Sequence, residues 1–232
     1  YKTDPTTGAD FARQRRLLNR AGFETVLVET DEQDSVERNA KIVAREIVRL
    51  SGEDRPIVLI SASKGGPEVA LALGRGLPPH QSRRVVAWIS IGGLLRGSPY
   101  ADWVWKWPRS WLARIAFRYY GLDPSVIPNL RTSVRRPAFD ALVFPEHILL
   151  LQYVGAPLSG HIKKHVRGRY KVIRKIGPND GLTLLLDELI SGGGVITDIG
   201  LDHFYRDPEI DLKTLALAVV VLEELRRRSK MK

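Results

Sequence analysis

Between Ile57 and Gly66 the sequence reads IVLISASKGG. A run of branched apolar residues gives way to small-x-Ser-x-Gly, with Ser61, Ser63 and Gly65 in the pattern, and then to a helical stretch. A strand that turns sharply into a helix lifts a serine hydroxyl clear of the backbone and leaves it open to attack a carbonyl. Small neighbours are required there because strand and helix backbones approach closely. The first turn of a helix also offers N–H groups without an intrahelical acceptor, at the positive end of its dipole. The Lys64 N–H is therefore expected to donate to an oxyanion formed beside Ser63. Ser61 stands where such turns usually carry Gly.

Parallel strands are expected to position this turn, because strand-like and helix-like segments alternate along the chain, the pattern of an α/β fold. Residues 9–21 read as a helix stopped by Gly22, and 24–29 as a short β-branched run. Ser35 is a good N-cap for a helix over 36–50. Residues 56–61 read as a buried strand, 64–73 as a helix and 84–91 as the next strand. Residues 147–154 resume the sheet, and a loop-rich basic stretch follows to Pro178. A helix over 182–190, a strand over 194–199 and a closing helix over 211–227 complete the reading. Residues 99–146 break the rhythm and hold four of the five Trp. They are expected to form an inserted cap or lid in a single domain spanning 1–232. Trp103, Trp105 and Trp107 alternate, so in an extended segment they would share one face and line an acyl-binding wall.

Two further stretches, IGGLLRGSPYADW from Ile91 and GPNDGLT from Gly177, together with the serine turn, resemble the bacterial triacylglycerol lipase and esterase branch of the α/β-hydrolases. Arg96, Gly97, Ser98, Ala101 and Asp102 match that family's segment after the next strand, and Leu94 and Leu95 replace its Pro-His. The resemblance implies a nucleophile elbow at Ser63, the catalytic acid at Asp180 in Asn-Asp-Gly, and the base at His203 after the last strand. The order Ser, Asp, His is the one this fold uses. Asp198 and Asp202 are rival acids, though Asp202, adjacent to His203 on an extended chain, would point away from it. The family's calcium-binding Asp falls at Tyr205, so no calcium site is expected. The resemblance implies an α/β-hydrolase fold, a mostly parallel sheet with helices on both faces. Its first strands are expected to be missing, so that the second oxyanion donor would lie near residues 1–3 or be absent.

The implied activity is hydrolysis of a small apolar carboxylic ester through an acyl-serine, with no cofactor. An acyltransferase or thioesterase on the same triad, or a non-catalytic hydrolase-fold binder, are the alternatives. A dehydrogenase-type Tyr-x-x-x-Lys fits Lys64 but places Ile60 at the tyrosine, and no Gly-rich dinucleotide turn precedes it. His161 and His165 stand at i,i+4, as two metal ligands on a helix would, yet lysines intervene and no third ligand is evident. The expectation is an exposed basic stretch without metal. His80 and His147 have no partner pattern.

Composition bounds the rest. The 232 residues are 44% hydrophobic and 27% charged, values of a globular chain able to bury one core. The absence of cysteine excludes disulfides and thiolate chemistry. The net charge of +10 permits peripheral contact with an anionic membrane surface, while no nucleic-acid motif accompanies it, so no nucleic-acid partner is expected. No apolar run reaches the roughly 18–20 residues that span a bilayer. The chain opens at Tyr1 with no initiator Met and no leader, and is read as a fragment or processed form whose signal segment would be out of view.

Overall fold

The structure, a computed structural model, describes residues 8, 10–121, 123–158, 160 and 162–230. Among the described residues four parallel strands lie side by side in chain order: β1 (Ile57–Ala62), β2 (Val85–Ile91), β3 (Leu149–Ala156) and β4 (Gly194–Ile199). Each parallel step needs a crossover, and the chain supplies helices for it. α1 (Ala12–Arg20) and α2 (Val36–Ser51) precede β1. α3 (Gly65–Leu71) leaves it and runs through a π-turn into the short α4 (Pro79–Ser82). Between β2 and β3 come α5 (Pro99–Trp105), α6 (Arg109–Tyr119), α7 (Val126–Asn129) and α8 (Thr132–Asp140). α9 (Lys164–Ile173) follows β3 and α10 (Ile210–Lys230) follows β4.

β2 and β3 are central, and nearly every residue in them is buried. On one face of the sheet Trp88 packs with Val43 and Ile47 of α2, Leu73 and Phe139. On the other, Ala87, Ile89 and Ile91 pack with Tyr205 and with Leu217 and Val221 of α10. Helices therefore cover both faces, as the alternation of segments requires. Of the 99–146 excursion, α8 sits against α3 and its Phe139 belongs to the core, whereas α6 has no buried residue.

Several expectations need correction. β1 is half-buried rather than buried, because among the described residues it pairs on one edge only. Residues 24–29 join no sheet, and Val26 and Leu27 are exposed, so β-branched composition alone finds no partner strand there. Residues 182–190 form a loop with one 3₁₀ turn, Leu185–Glu188, because the Leu185 N–H turns back to the Pro178 carbonyl, the Thr183 carbonyl accepts from the Asp180 N–H, and the Ile190 N–H donates to the Gln152 side chain. The stretch before Pro178 holds α9. Trp103 and Trp105 lie on helix α5, about 200° apart around its axis, so the three tryptophans do not share an extended face. No helix among the described residues is long and apolar enough to cross a membrane.

Candidate active site

The C-terminal end of β1 delivers Ser63. The Ser63 N–H donates to the Ile91 carbonyl, which extends the β1–β2 ladder by one rung, and the Leu94 N–H donates to the Ser63 carbonyl. Between those two bonds the backbone of Ser63 is held at φ +50°, in the left-handed region that a residue with a Cβ rarely adopts. Its hydroxyl is thereby turned out of the sheet. The Lys64 N–H opens α3, whose first turn has no carbonyl four residues back to accept it.

Ser61 has a reason to replace Gly. Its buried hydroxyl accepts a hydrogen bond at 2.9 Å from the indole N–H of the fully buried Trp88. The tight position of the turn is Gly66, not Gly65. A Cβ on Gly66 would lie 2.8 Å from the Gly93 Cα, while one on Gly65 would meet only the Ser61 Cβ at 3.5 Å, an ordinary contact.

His203 reaches Ser63 from the loop after β4, with Nε2 2.9 Å from Ser63 Oγ. The backbone N–H of His203 donates to the Asp180 carbonyl at 2.9 Å, and its Nδ1 faces Asp180 Oδ2 in a short hydrogen bond. Asp180 is fully buried. Its Oδ1 accepts from the Leu182 and Thr183 N–H groups, both at 2.8 Å, so three donors converge on one carboxylate. The structure thus brings Ser63, His203 and Asp180 into one hydrogen-bonded line. The rival acids lie elsewhere. Asp202 accepts from the Phe204 N–H in a local turn, and Asp198 pairs with Lys213 and the Tyr153 hydroxyl.

The residues between Arg96 and Asp102 brace this line. The Ser98 hydroxyl donates to the Leu182 carbonyl at 2.5 Å, and the Thr183 hydroxyl to the Gly97 carbonyl at 2.6 Å, which ties the Asp180 loop to the start of α5. Arg96 donates to the Leu189 carbonyl at 2.7 Å. Asp102 accepts from the Thr132 hydroxyl at 2.5 Å and anchors α5 to α8.

Sequence reasoning missed the surroundings. The Lys64 ammonium donates to three carbonyls, those of Asp31, Glu32 and Asp34, and lies 3.5 Å from buried Glu68. It pins the 31–34 loop to the turn that holds Ser63. Burial pushes the Glu68 carboxyl up, against the hydrogen bond from Asn39 and the charge of Lys64. Beside His203 stands an aromatic and basic cluster. Phe204 packs edge-on to the His203 ring, and the Arg169 guanidinium lies 5.5 Å from Phe204 and 5.6 Å from Tyr100. These residues come from α5, α9 and the His203 loop, and no spacing in the sequence links them. Glu188 is buried, its carboxyl driven well above the usual range by desolvation and by Asp180 and Asp187.

Trp103 stacks on Tyr100 and lies under Arg109, Trp105 lies under Arg114, and Trp107 is 83% exposed. Among the described residues no three His, Asp or Glu side chains are grouped to hold a metal. His165 packs against Phe204, and His161 lies outside the described residues, as do residues 1–3, where the second oxyanion donor was expected.

No family model matches the chain, and no curated protein sequence matches it. Solved structures do. A metagenomic carboxyl esterase aligns over 93% of this chain and 70% of its own, with a TM-score of 0.77 and 23% identity. The mature form of a lipase from Bacillus licheniformis aligns over 93% and 87%, with a TM-score of 0.73 and 17% identity. A monoacylglycerol lipase from Paleococcus ferrophilus aligns over 92% and 89%, with a TM-score of 0.50 and 16% identity. The chain has the α/β-hydrolase fold.

Proposed function

We propose that this α/β-hydrolase-fold chain is a serine hydrolase that cleaves carboxylic esters. One observation carries the reading: a serine strained into the left-handed region at a strand–helix turn, 2.9 Å from a histidine whose other nitrogen faces a fully buried carboxylate. The likeness to structures described as carboxyl esterase and lipase supports the same class.

His203 Nε2 takes the Ser63 proton as Oγ attacks the ester carbonyl carbon. The carbonyl oxygen becomes an oxyanion, to which the Lys64 N–H donates. Collapse of this intermediate breaks the C–O bond to the alcohol, which leaves with the proton held on His203. Water then attacks the acyl-serine and gives its proton to His203. The second collapse releases the carboxylic acid and returns the proton to Ser63. Asp180 holds the imidazole with Nδ1 protonated and offsets the charge of the imidazolium. No atom outside the chain, the ester and water is needed.

A fluorophosphonate probe tests this directly. The parent protein should be labelled on the peptide holding Ser63 and should hydrolyse p-nitrophenyl esters. Ser63→Ala should keep its fold and lose both properties. Labelling elsewhere, or unchanged turnover by a folded Ser63→Ala protein, would refute the reading.

A further inference from the structure

α6 rests on the protein by one narrow side. Ser110, Ala113 and Phe117 are half-buried, and they fall within about 60° of one another around the helix axis. The opposite side is apolar and faces outward. Trp111, Ile115 and Tyr119 repeat at i,i+4 and Leu112 widens the stripe along one edge. Their exposures are 61%, 49%, 83% and 57%. A water-facing helix ordinarily carries this stripe on its inner side. Contiguous apolar surface left outward marks an interaction site.

The charges narrow the partner. α6 contains Arg109, Arg114 and Arg118 and no acidic residue. By helical spacing Arg114 and Arg118 border the stripe on one side and Arg109 on the other. A second copy docking through the same stripe would bring these arginines against one another. One carboxylate, Asp123, lies nearby, in the groove of about 540 Å³ that Trp111, Ile115 and Arg118 share with residues 123–128. An apolar face rich in Trp and Leu, bordered by arginines, matches the requirements of a helix lying in the headgroup boundary of a lipid surface.

We propose that α6 docks the protein on an anionic phospholipid surface, with the stripe from Trp111 to Tyr119 entering the headgroup boundary and the three arginines meeting lipid phosphates and carboxylates. The inference goes beyond ester hydrolysis, because docking requires no turnover. Ser63→Ala protein should bind lipid as the parent does.

Co-sedimentation with vesicles tests it, using phosphatidylcholine alone and phosphatidylcholine mixed with phosphatidylserine. Binding should appear on the mixed vesicles, stay weak on the neutral ones, and fall as salt rises. Trp111→Ser and Ile115→Ser should each weaken it about ten-fold or more, the effect of withdrawing a large apolar side chain from burial. Arg118→Gln should weaken it about five-fold. These side chains are exposed, so the thermal midpoints of the variants should match the parent, which excludes misfolding as the cause. The proposal is overturned by absence of binding to the mixed vesicles, by equal binding to both kinds, or by binding that the stripe variants leave unchanged. A parent dimer that Trp111→Ser dissociates, with no lipid binding, would assign the stripe to a second copy instead.

Discussion

At the scale of single residues, the line from Ser63 through His203 depends on which proton Asp180 enforces. In Asp180→Asn the side-chain oxygen can keep the Leu182 and Thr183 N–H bonds, which turns the amide NH₂ toward His203 Nδ1. Nδ1 must then accept, the proton moves to Nε2, and the imidazole can no longer take the Ser63 proton. Turnover should drop by about 10⁴-fold with little change in KM. Asp202→Asn disturbs only a local turn and should cost far less. Steady-state kinetics on the two variants check the assignment, and a reversed order would transfer the acid to Asp202. Glu188 makes a different prediction. Burial, with Asp180 and Asp187 beside it, pushes its carboxyl well above the ordinary range in the fold, whereas in the unfolded chain it ionises near its ordinary value of about 4.3. The stability tied to the neutral form is fully present below that value and declines as pH rises toward the folded value. Glu188→Gln removes the titration. Urea midpoints of parent and variant should run together below about pH 4 and separate above it, the parent falling. Parallel curves would mean that Glu188 ionises freely in the fold.

At the scale of elements, the serine turn is fixed by the approach of α3 to the segment after β2. Gly66→Ala forces a Cβ to within 2.8 Å of the Gly93 backbone and should cost about 1–3 kcal/mol. Gly65→Ala meets an ordinary contact and should leave the thermal midpoint close to the parent's or above it. Equal losses would show that the turn, not the close approach, sets the demand for glycine. The same turn marks what was legible in the sequence. β1, β2, β4 and α2 could be placed because apolar runs and a Ser cap are local signals, and Ser63 because a strand, small residues and a helix adjoin. The 182–190 loop was misread because its apolar spacing suits a helix, while the Ser98 hydroxyl on the Leu182 carbonyl and the Gln152 side chain on the Ile190 N–H act through tertiary geometry. The role of Ser61 was hidden because Trp88, its donor, lies on the neighbouring strand. The Arg169, Phe204 and Tyr100 cluster had no signal at all, since three separate elements meet there.

At the scale of the molecule, the four parallel strands among the described residues lie in chain order, so each neighbouring pair of them is joined by a long crossover. Such non-local pairing forms slowly, whereas helices such as α2 and α10 need only local contacts. On refolding from denaturant, far-UV helical signal should return before ester turnover, and interrupted refolding with an activity assay can resolve the two. Coincident recovery would mean that the line of Ser63, His203 and Asp180 assembles together with the first helices. The separation of those residues carries a further consequence for the protein's synthesis. Ser63 and His203 are 140 positions apart. At about 5–20 residues per second a ribosome takes roughly 7 to 28 seconds to travel from Ser63 to His203. Through that interval Ser63 is present without His203, so the hydrogen-bonded line cannot yet form. The line closes only when the loop after β4 has left the exit tunnel and folded back to β1.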